Sequence, residues 1–538
     1  MPRVAGGTGV ATGAELTYNT GATALQMANT IFGGGATVVG ARYTGWGNSS
    51  AIYSNGQLSP GVVPGNTGVI LSTGNVRDFT QSNGDPNRSA GTSTDTSGPD
   101  NVAQINAIAG TNTFDAAYLD INFIPTASVM TIRFVFASEE YPEYSSSIYN
   151  DLMFVVVNGT PATLSFGNGL GSVSNVNPDT NANLFVSNMN DDFNTEMDGF
   201  TLTMSLKMNV NPGVVNSIRI GIADVSDALY DSNLLIAADS VQTALVARDD
   251  AITLRSGASG DIDPLANDIN NTGGVLTVTH INGVPVTVGS VVTLPSGQTV
   301  RLNADMTFSV TTDQDIETTV FNYNLRSSTG AEDVGIVRVT TIPCFTAGTR
   351  IATPGGLVPV ETLRPGDLVL TLDDGPRPLR WVGRRRVLAA GALAPVRIGA
   401  GALGPHGRLV VSPQHRILIR DRRAELLFGE AEVLVAAKDL VNGRCIVQRP
   451  GGEVEYLHLL LDRHAVLFAE GLAAESLLPG GEGLRGFGAE AVAEIRALFP
   501  ALDPATGAGY GPAARPILRA HEARVLFGTA AAVHARAA

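Results

Sequence analysis

The chain reads as a mainly β protein, a series of sandwiches followed by a short helical tail. Three observations give that reading. Short apolar runs, some of them alternating, recur between turns rich in Gly, Asn and Asp, and helical spacing is confined to a few places. Composition changes abruptly at Cys344, so the chain is two kinds of protein joined end to end. The 538 residues with a hydrophobic share of 44% are enough for three or four packed cores at ordinary domain sizes.

The first sandwich spans 15–240. Tyr118–Phe123 alternates. Val129–Phe136 reads as a strand. Leu152–Val157 is a strand closed by an Asn158-Gly159 turn, and Ile218–Ala223 is another strand. Only the stretch near Ala22–Phe32 has helical spacing, and the polar run Ser72–Asn101 is expected to be a long surface loop. A second unit, 241–342, shows strands at Val275–Thr279, Val291–Leu294, Val300–Leu302, Phe308–Val310, Val320–Tyr323 and Gly335–Thr340, with a turn at Asn282-Gly283. About seven strands in about 100 residues fit an immunoglobulin-like sandwich. From 343 to 480 the pattern stays β. Beyond it, over 481–538, Ala489–Phe499 and Arg515–Leu526 have helical spacing.

Charge divides the chain at the same place. Residues 1–343 carry 31 Asp and Glu against 12 Lys and Arg, whereas residues 344–538 carry 19 against 23. The acidic front half argues against a nucleic-acid partner, because phosphate contacts need clustered Lys and Arg. No run of 18 apolar residues is present, so no transmembrane helix is expected. The N-terminus has no apolar core of signal-peptide type.

Cys344 is one of two cysteines and opens the basic half. A thiol placed there can attack the Pro343 carbonyl and turn the Pro343–Cys344 amide into a thioester. That step needs an oxyanion stabiliser and an acid for the departing nitrogen. His415 suits the acid, with Ser412 three residues before it. Asp439 and His458 are read as structural, and Cys445 as a small core residue in a strand.

These residues resemble the Hint superfamily, the autoprocessing fold of Hedgehog proteins and inteins. The opening block is Cys344, then Thr349-Arg350-Ile351 and Val360–Val369 with its Pro365-Gly366-Asp367. Ser412-Pro413-Gln414-His415 stands where the family has Thr-x-x-His. His464–Gly471 is similar to the late His block. The resemblance implies an all-β domain over 343–480 with Cys344, Ser412, His415 and His464 as its catalytic set and no cofactor needed for cleavage. One departure bears on chemistry: Glu475-Ser476 stands where an intein has His-Asn, so a single cut is expected rather than splicing. The thioester would go to water or to an external nucleophile. The alternative is a surface or matrix adhesin with an inert Hint domain.

The front half has its own marks. Phe136-Ala137-Ser138-Glu139-Glu140-Tyr141, Asp198-Gly199-Phe200-Thr201 and Ile222-Ala223-Asp224 through Asp231-Ser232 resemble the bacterial choice-of-anchor L domain, found on exported proteins. That resemblance implies an extracellular or cell-surface protein exported without an N-terminal signal peptide, with an unknown surface or matrix ligand. Carboxylates on loops at strand ends are what calcium requires, and the candidates are Glu139, Glu140, Asp151, Asp224, Asp227 and Asp231. Ala247-Arg248-Asp249-Asp250 and Leu265-Ala266-Asn267-Asp268 resemble the cadherin-like modules of adhesins, which implies a spacing or adhesive role for 241–342.

Overall fold

The computed structural model describes residues 11–89, 91–145, 147–167, 169–254, 259–313, 318–340, 345–389, 394–479, 489–502, 509–518 and 520–527. Pro343 and Cys344 lie outside the described residues. The protein is mainly β, with several antiparallel sheets and few helices. It divides into two units. One comprises Met1–Ala251, Asp261–Val310 and Thr319–Arg338; the other comprises Ile252–Gly260, Thr311–Thr318 and Val339–Ala538.

In the first unit an 8-stranded and a 6-stranded sheet form a sandwich. Val129–Ser138 lies in the middle of the larger sheet, between Ser232–Ala237 on one side and Gly199–Thr201 and Met204–Asn209 on the other. Asn216–Val225 is central in the smaller sheet, between Thr113–Pro125 and Leu152–Val157. Side chains alternate across a strand. Phe134 and Phe136 therefore enter the core between the sheets, while Val135 and Ala137 face a second apolar cluster on the outer side. The Asn158-Gly159 turn is a two-residue hairpin with both φ positive, at 50° and 83°, which only such residues adopt readily.

Helix Ala24–Ile31 begins with a capping box between Thr23 and Gln26. A second helix, Ala103–Ala109, ends at Gly110 with φ 77°; the Ile105 and Ile108 pair at i, i+3 is its sequence signal. The run 72–101 departs most from a plain surface loop. Its later part, 87–96, is a strap whose N–H groups meet buried carboxylates: Arg88 and Ser89 donate to Glu196, Thr92 to Glu139 and Thr94 to Asp231.

The second module has a 5-stranded and a 4-stranded sheet, and Asn282-Gly283 turns Leu276–Ile281 into Val284–Pro285. Its Val320 and Ile336 belong to the apolar core of the first sandwich. The two modules thus share a core rather than hanging on a linker.

Among the described residues of 345–475, the second unit has two sheets. One runs in the order Trp381–Leu388, Glu453–Leu460, Phe345–Thr346, Leu409–Val411, Val396–Ile398, Ile446–Gln448. The other is built on Arg350–Thr353, Val466–Ala469, Leu472–Glu475, Arg416–Arg420 and Glu432–Ala436. Ala489–Leu498 is helical. The second tail helix is Ala520–Phe527, shorter than the spacing over Arg515–Leu526 predicts. Pro516 and Leu518 instead pair with Leu434: its N–H donates to the Pro516 carbonyl and its carbonyl accepts from Leu518. An extended pairing of that kind excludes the helix. Arg422–Phe428, capped by Asp421 and Gly429, is a helix that the strand reading of this region missed.

Candidate functional site

In the second unit the strand Leu409–Val411 ends at Ser412, and a tight turn follows. The His415 N–H donates to the Ser412 carbonyl at 3.0 Å, and the Ala437 and Lys438 N–H groups hold the His415 and Pro413 carbonyls at 3.0 and 2.7 Å. The turn is therefore fixed from both sides and aims the His415 ring inward, where it is 3% exposed. Phe345 packs on that ring with centroids 4.0 Å apart. Among the described residues neither ring nitrogen meets hydrogen-bond geometry with a partner.

Burial pushes the His415 pKa down to about 4, against the charge and backbone carbonyl of Glu475, which pull it up; Arg416 and His464 add to the fall. His415 is therefore neutral at physiological pH.

Glu475 is fully buried at the end of Leu472–Glu475. Its Oε1 accepts the Arg416 N–H at 2.9 Å and its Oε2 accepts the Arg416 guanidinium at 3.1 Å. Burial alone would raise its carboxyl, but the Arg416 charge, the nearby His464 and His415 outweigh it and hold it down at about 2. His464 stands with Nε2 3.4 Å from Glu475 Oε2, while its Nδ1 accepts the Ala514 N–H at 2.9 Å. A nitrogen that accepts carries no proton, so the neutral ring has its proton on Nε2, toward the carboxylate. The structure thus brings together Ser412, His415 and His464 and adds Glu475, Arg416 and Ala514. Sequence reasoning noted Glu475 only as a departure from the intein pattern. A buried acid in place of His was itself the signal.

His458 lies on Glu453–Leu460 opposite Gly383, and Asp439 on the short turn Ala437–Leu440. Cys445 is half-buried against the core, just before the strand Ile446–Gln448 rather than within it.

Residues 343–481 match the family model for the Hint domain. This segment is a Hint domain. Residues 16–242 match the model for the choice-of-anchor L domain. Among solved structures, the MchDnaB-1 intein is 13% identical, with 24% of this chain and 98% of that chain covered and a TM-score of 0.18. The gp41-1 intein is 12% identical, with 24% and 97% covered and a TM-score of 0.16. The M60 catalytic domain with two CBM51 domains of Clostridium perfringens ZmpB is 10% identical, with 82% and 43% covered and a TM-score of 0.13. No curated protein sequence matches.

In the choice-of-anchor L domain the six sequence candidates for calcium do not gather in one place: Glu140, Asp151 and Asp224 meet between the two sheets, Glu139 and Asp231 lie beneath the strap, and Asp227 is on a surface turn. Asp151 accepts the Val225 N–H and the Ser232 hydroxyl at 3.0 and 2.7 Å, and Glu140 Oε2 accepts the Asp151 N–H at 3.2 Å. Burial and mutual repulsion push Glu140 up to about 10, burial pushes Asp151 up to about 7, and Asp224, buried beside Asp151, rises too. Asp227 accepts the Leu229 N–H. Among the described residues no three Asp, Glu, His or Cys side chains are gathered closely enough to hold a metal ion.

Proposed function

We propose that the Hint domain cuts its own chain at Pro343–Cys344. His415 supports this reading most directly. It is a buried neutral imidazole with neither nitrogen in hydrogen-bond geometry among the described residues, packed at a tilt against Phe345. Cys344 directly precedes Phe345 in the sequence.

In the reaction, His415 takes the thiol proton of Cys344, and the thiolate Sγ attacks the Pro343 carbonyl carbon. The C–N bond breaks as His415 returns that proton to the departing Cys344 nitrogen. The products are a Pro343 thioester on Cys344 Sγ and a free Cys344 amine. Water then gives a Pro343 carboxylate and regenerates the thiol; an external amine or hydroxyl gives an amide or ester. Glu475 stabilises the imidazolium that forms in passing, and Arg416 holds Glu475 in place. The acidic front half is the released passenger of an exported protein, with 241–342 as a cadherin-like spacer.

Intact masses of the purified chain, with and without added thiol, test this. The wild type is expected to yield a fragment ending at Pro343, faster with thiol. Cys344→Ala should abolish it, and His415→Ala should slow it by about a hundredfold or more. A wild-type chain that stays whole under thiol across the pH range in which it is folded would sink the reading.

A further inference from the structure

Residues beyond the Hint family match, which ends at 481, hold a side chain of the Hint site. Tyr510 packs with Trp381, Leu460 and Leu477, and its hydroxyl donates to the Leu461 carbonyl at 2.9 Å. Arg515 bridges Glu432 and Asp373. Leu434, on the edge strand Glu432–Ala436, exchanges hydrogen bonds with Pro516 and Leu518. Leu518, Ala523 and Leu526 enter the main apolar core of the domain. The segment 510–518 is thus anchored on both sides of Ala514.

Between those anchors the Ala514 N–H donates to His464 Nδ1 at 2.9 Å. The His464 side chain is fully buried, so solvent offers no ready substitute for that donor. A neutral imidazole has one N–H. With Nδ1 accepting, the proton lies on Nε2, which stands 3.4 Å from Glu475 Oε2. The same oxygen accepts the Arg416 guanidinium at 3.1 Å, and the Glu475 charge acts on His415. One tail N–H therefore decides whether His464 faces this carboxylate with a donor or with a lone pair. A lone pair there would repel the carboxylate oxygen and loosen the hold on Glu475.

We propose that Ala514 is a positioning residue for self-cleavage: its N–H fixes the His464 tautomer and, through His464 and Glu475, the alignment of His415. That role presupposes the cleavage proposed above. It also sets the timing of the cut. Residues 510–518 are translated after the rest of the site, so the Pro343–Cys344 bond is cut slowly until this segment has docked, and the front half stays joined until then.

Two readouts test this role. In full-length Cys344→Ala protein, which lacks the proposed nucleophile, nitrogen NMR of labelled histidines at neutral pH reports the His464 tautomer, assigned by comparison with His464→Ala. The proton is expected on Nε2. Ala514→Pro, which removes the N–H, should move it toward Nδ1, and Ala514→Gly should not. With Cys344 present, Ala514→Pro should slow single-turnover cleavage by about tenfold or more, and Ala514→Gly by about twofold or less. In a His464→Ala background Ala514→Pro should add about twofold or less, because the cap then has no ring to act on. Circular dichroism confirms that each variant is folded; if Ala514→Pro is not, Arg515→Ala, which frees the segment at its middle anchor, takes its place in both arms. Cleavage that proceeds with the tautomer or the rate unmoved by Ala514→Pro, or with equal slowing whether or not His464 is present, overturns this proposal alone. A wild-type chain that never cleaves overturns the cleavage reading and this role with it.

Discussion

At the scale of the residue, His415 shows how burial sets a role. An imidazole with an ordinary value of 6.5 is moved to about 4, so it is neutral wherever the cell is neutral and can accept the thiol proton. The acid limb of the cleavage rate should therefore centre near pH 4. Glu475 raises the His415 value, so Glu475→Gln should move the limb lower still. Single-turnover rates read from gels across pH check both; a wild-type limb centred near 6.5 would contradict the first. Stability has the same sign. Relative to the unfolded chain, the depressed His415 costs nothing above pH 6.5, and stability is lost as pH falls from 6.5 toward 4. Glu475, held at about 2 against an ordinary 4.5, contributes stability that is present above 4.5 and lost as pH falls toward 2. The rates must therefore be taken where near-UV circular dichroism still reports native packing. His415 could be found from its spacing to Ser412. The network around Glu475 could not, because Arg416 lies 59 residues away in sequence and their meeting depends on strand order.

At the scale of the element, local chemistry marks structure that closes on itself. The hairpin after Leu152–Val157 was legible because Asn158-Gly159 permits one turn geometry. The strap was not, because its bonds run to carboxylates such as Glu139 and Glu196 in distant segments and impose no period on its own sequence. The tail is a similar case. Ala514 to Leu518 form an added edge on the Hint domain: Arg515 bridges Glu432 and Asp373 at 2.6 Å each, Leu434 pairs with Pro516 and Leu518, and Ala514 caps His464. That cap makes a sharp prediction. Ala514→Pro deletes the N–H and leaves His464 Nδ1 buried without a donor, at a cost of about 1–3 kcal/mol. Ala514→Gly keeps the N–H and should cost about 1 kcal/mol or less. Thermal melts of the two in the Cys344→Ala background compare them, and equal losses would show that the cap contributes nothing.

At the scale of the whole molecule, the join between the two front modules decides whether the front half is one body or two. Asp333, from the second module, is completely buried. Its Oδ1 accepts the hydroxyls of Thr131 and Ser205, both from the choice-of-anchor L domain, each at 2.8 Å, and its Oδ2 accepts the Ala247 N–H at 2.8 Å. Burial raises its carboxyl, and the Lys207 charge opposes that rise. Lys207 reaches Asp249 and the Val334 carbonyl, both at 2.9 Å. Around this polar centre Val320 and Ile336 enter the first core, and Asn322 and Asn183 tie further strands across the join. A joint that combines apolar burial with these hydrogen bonds resists separation, since neither module can leave without stranding the other's donors. Asp333→Ala strands two hydroxyls and one N–H at once, a loss of about 3–5 kcal/mol by analogy with broken buried networks. Scanning calorimetry of the Cys344→Ala chain should show the two front modules melting as one cooperative transition, and Asp333→Ala should split it in two, with the second module melting first. A single undivided transition in the variant, at an unchanged temperature, would mean that Asp333 does not hold the joint.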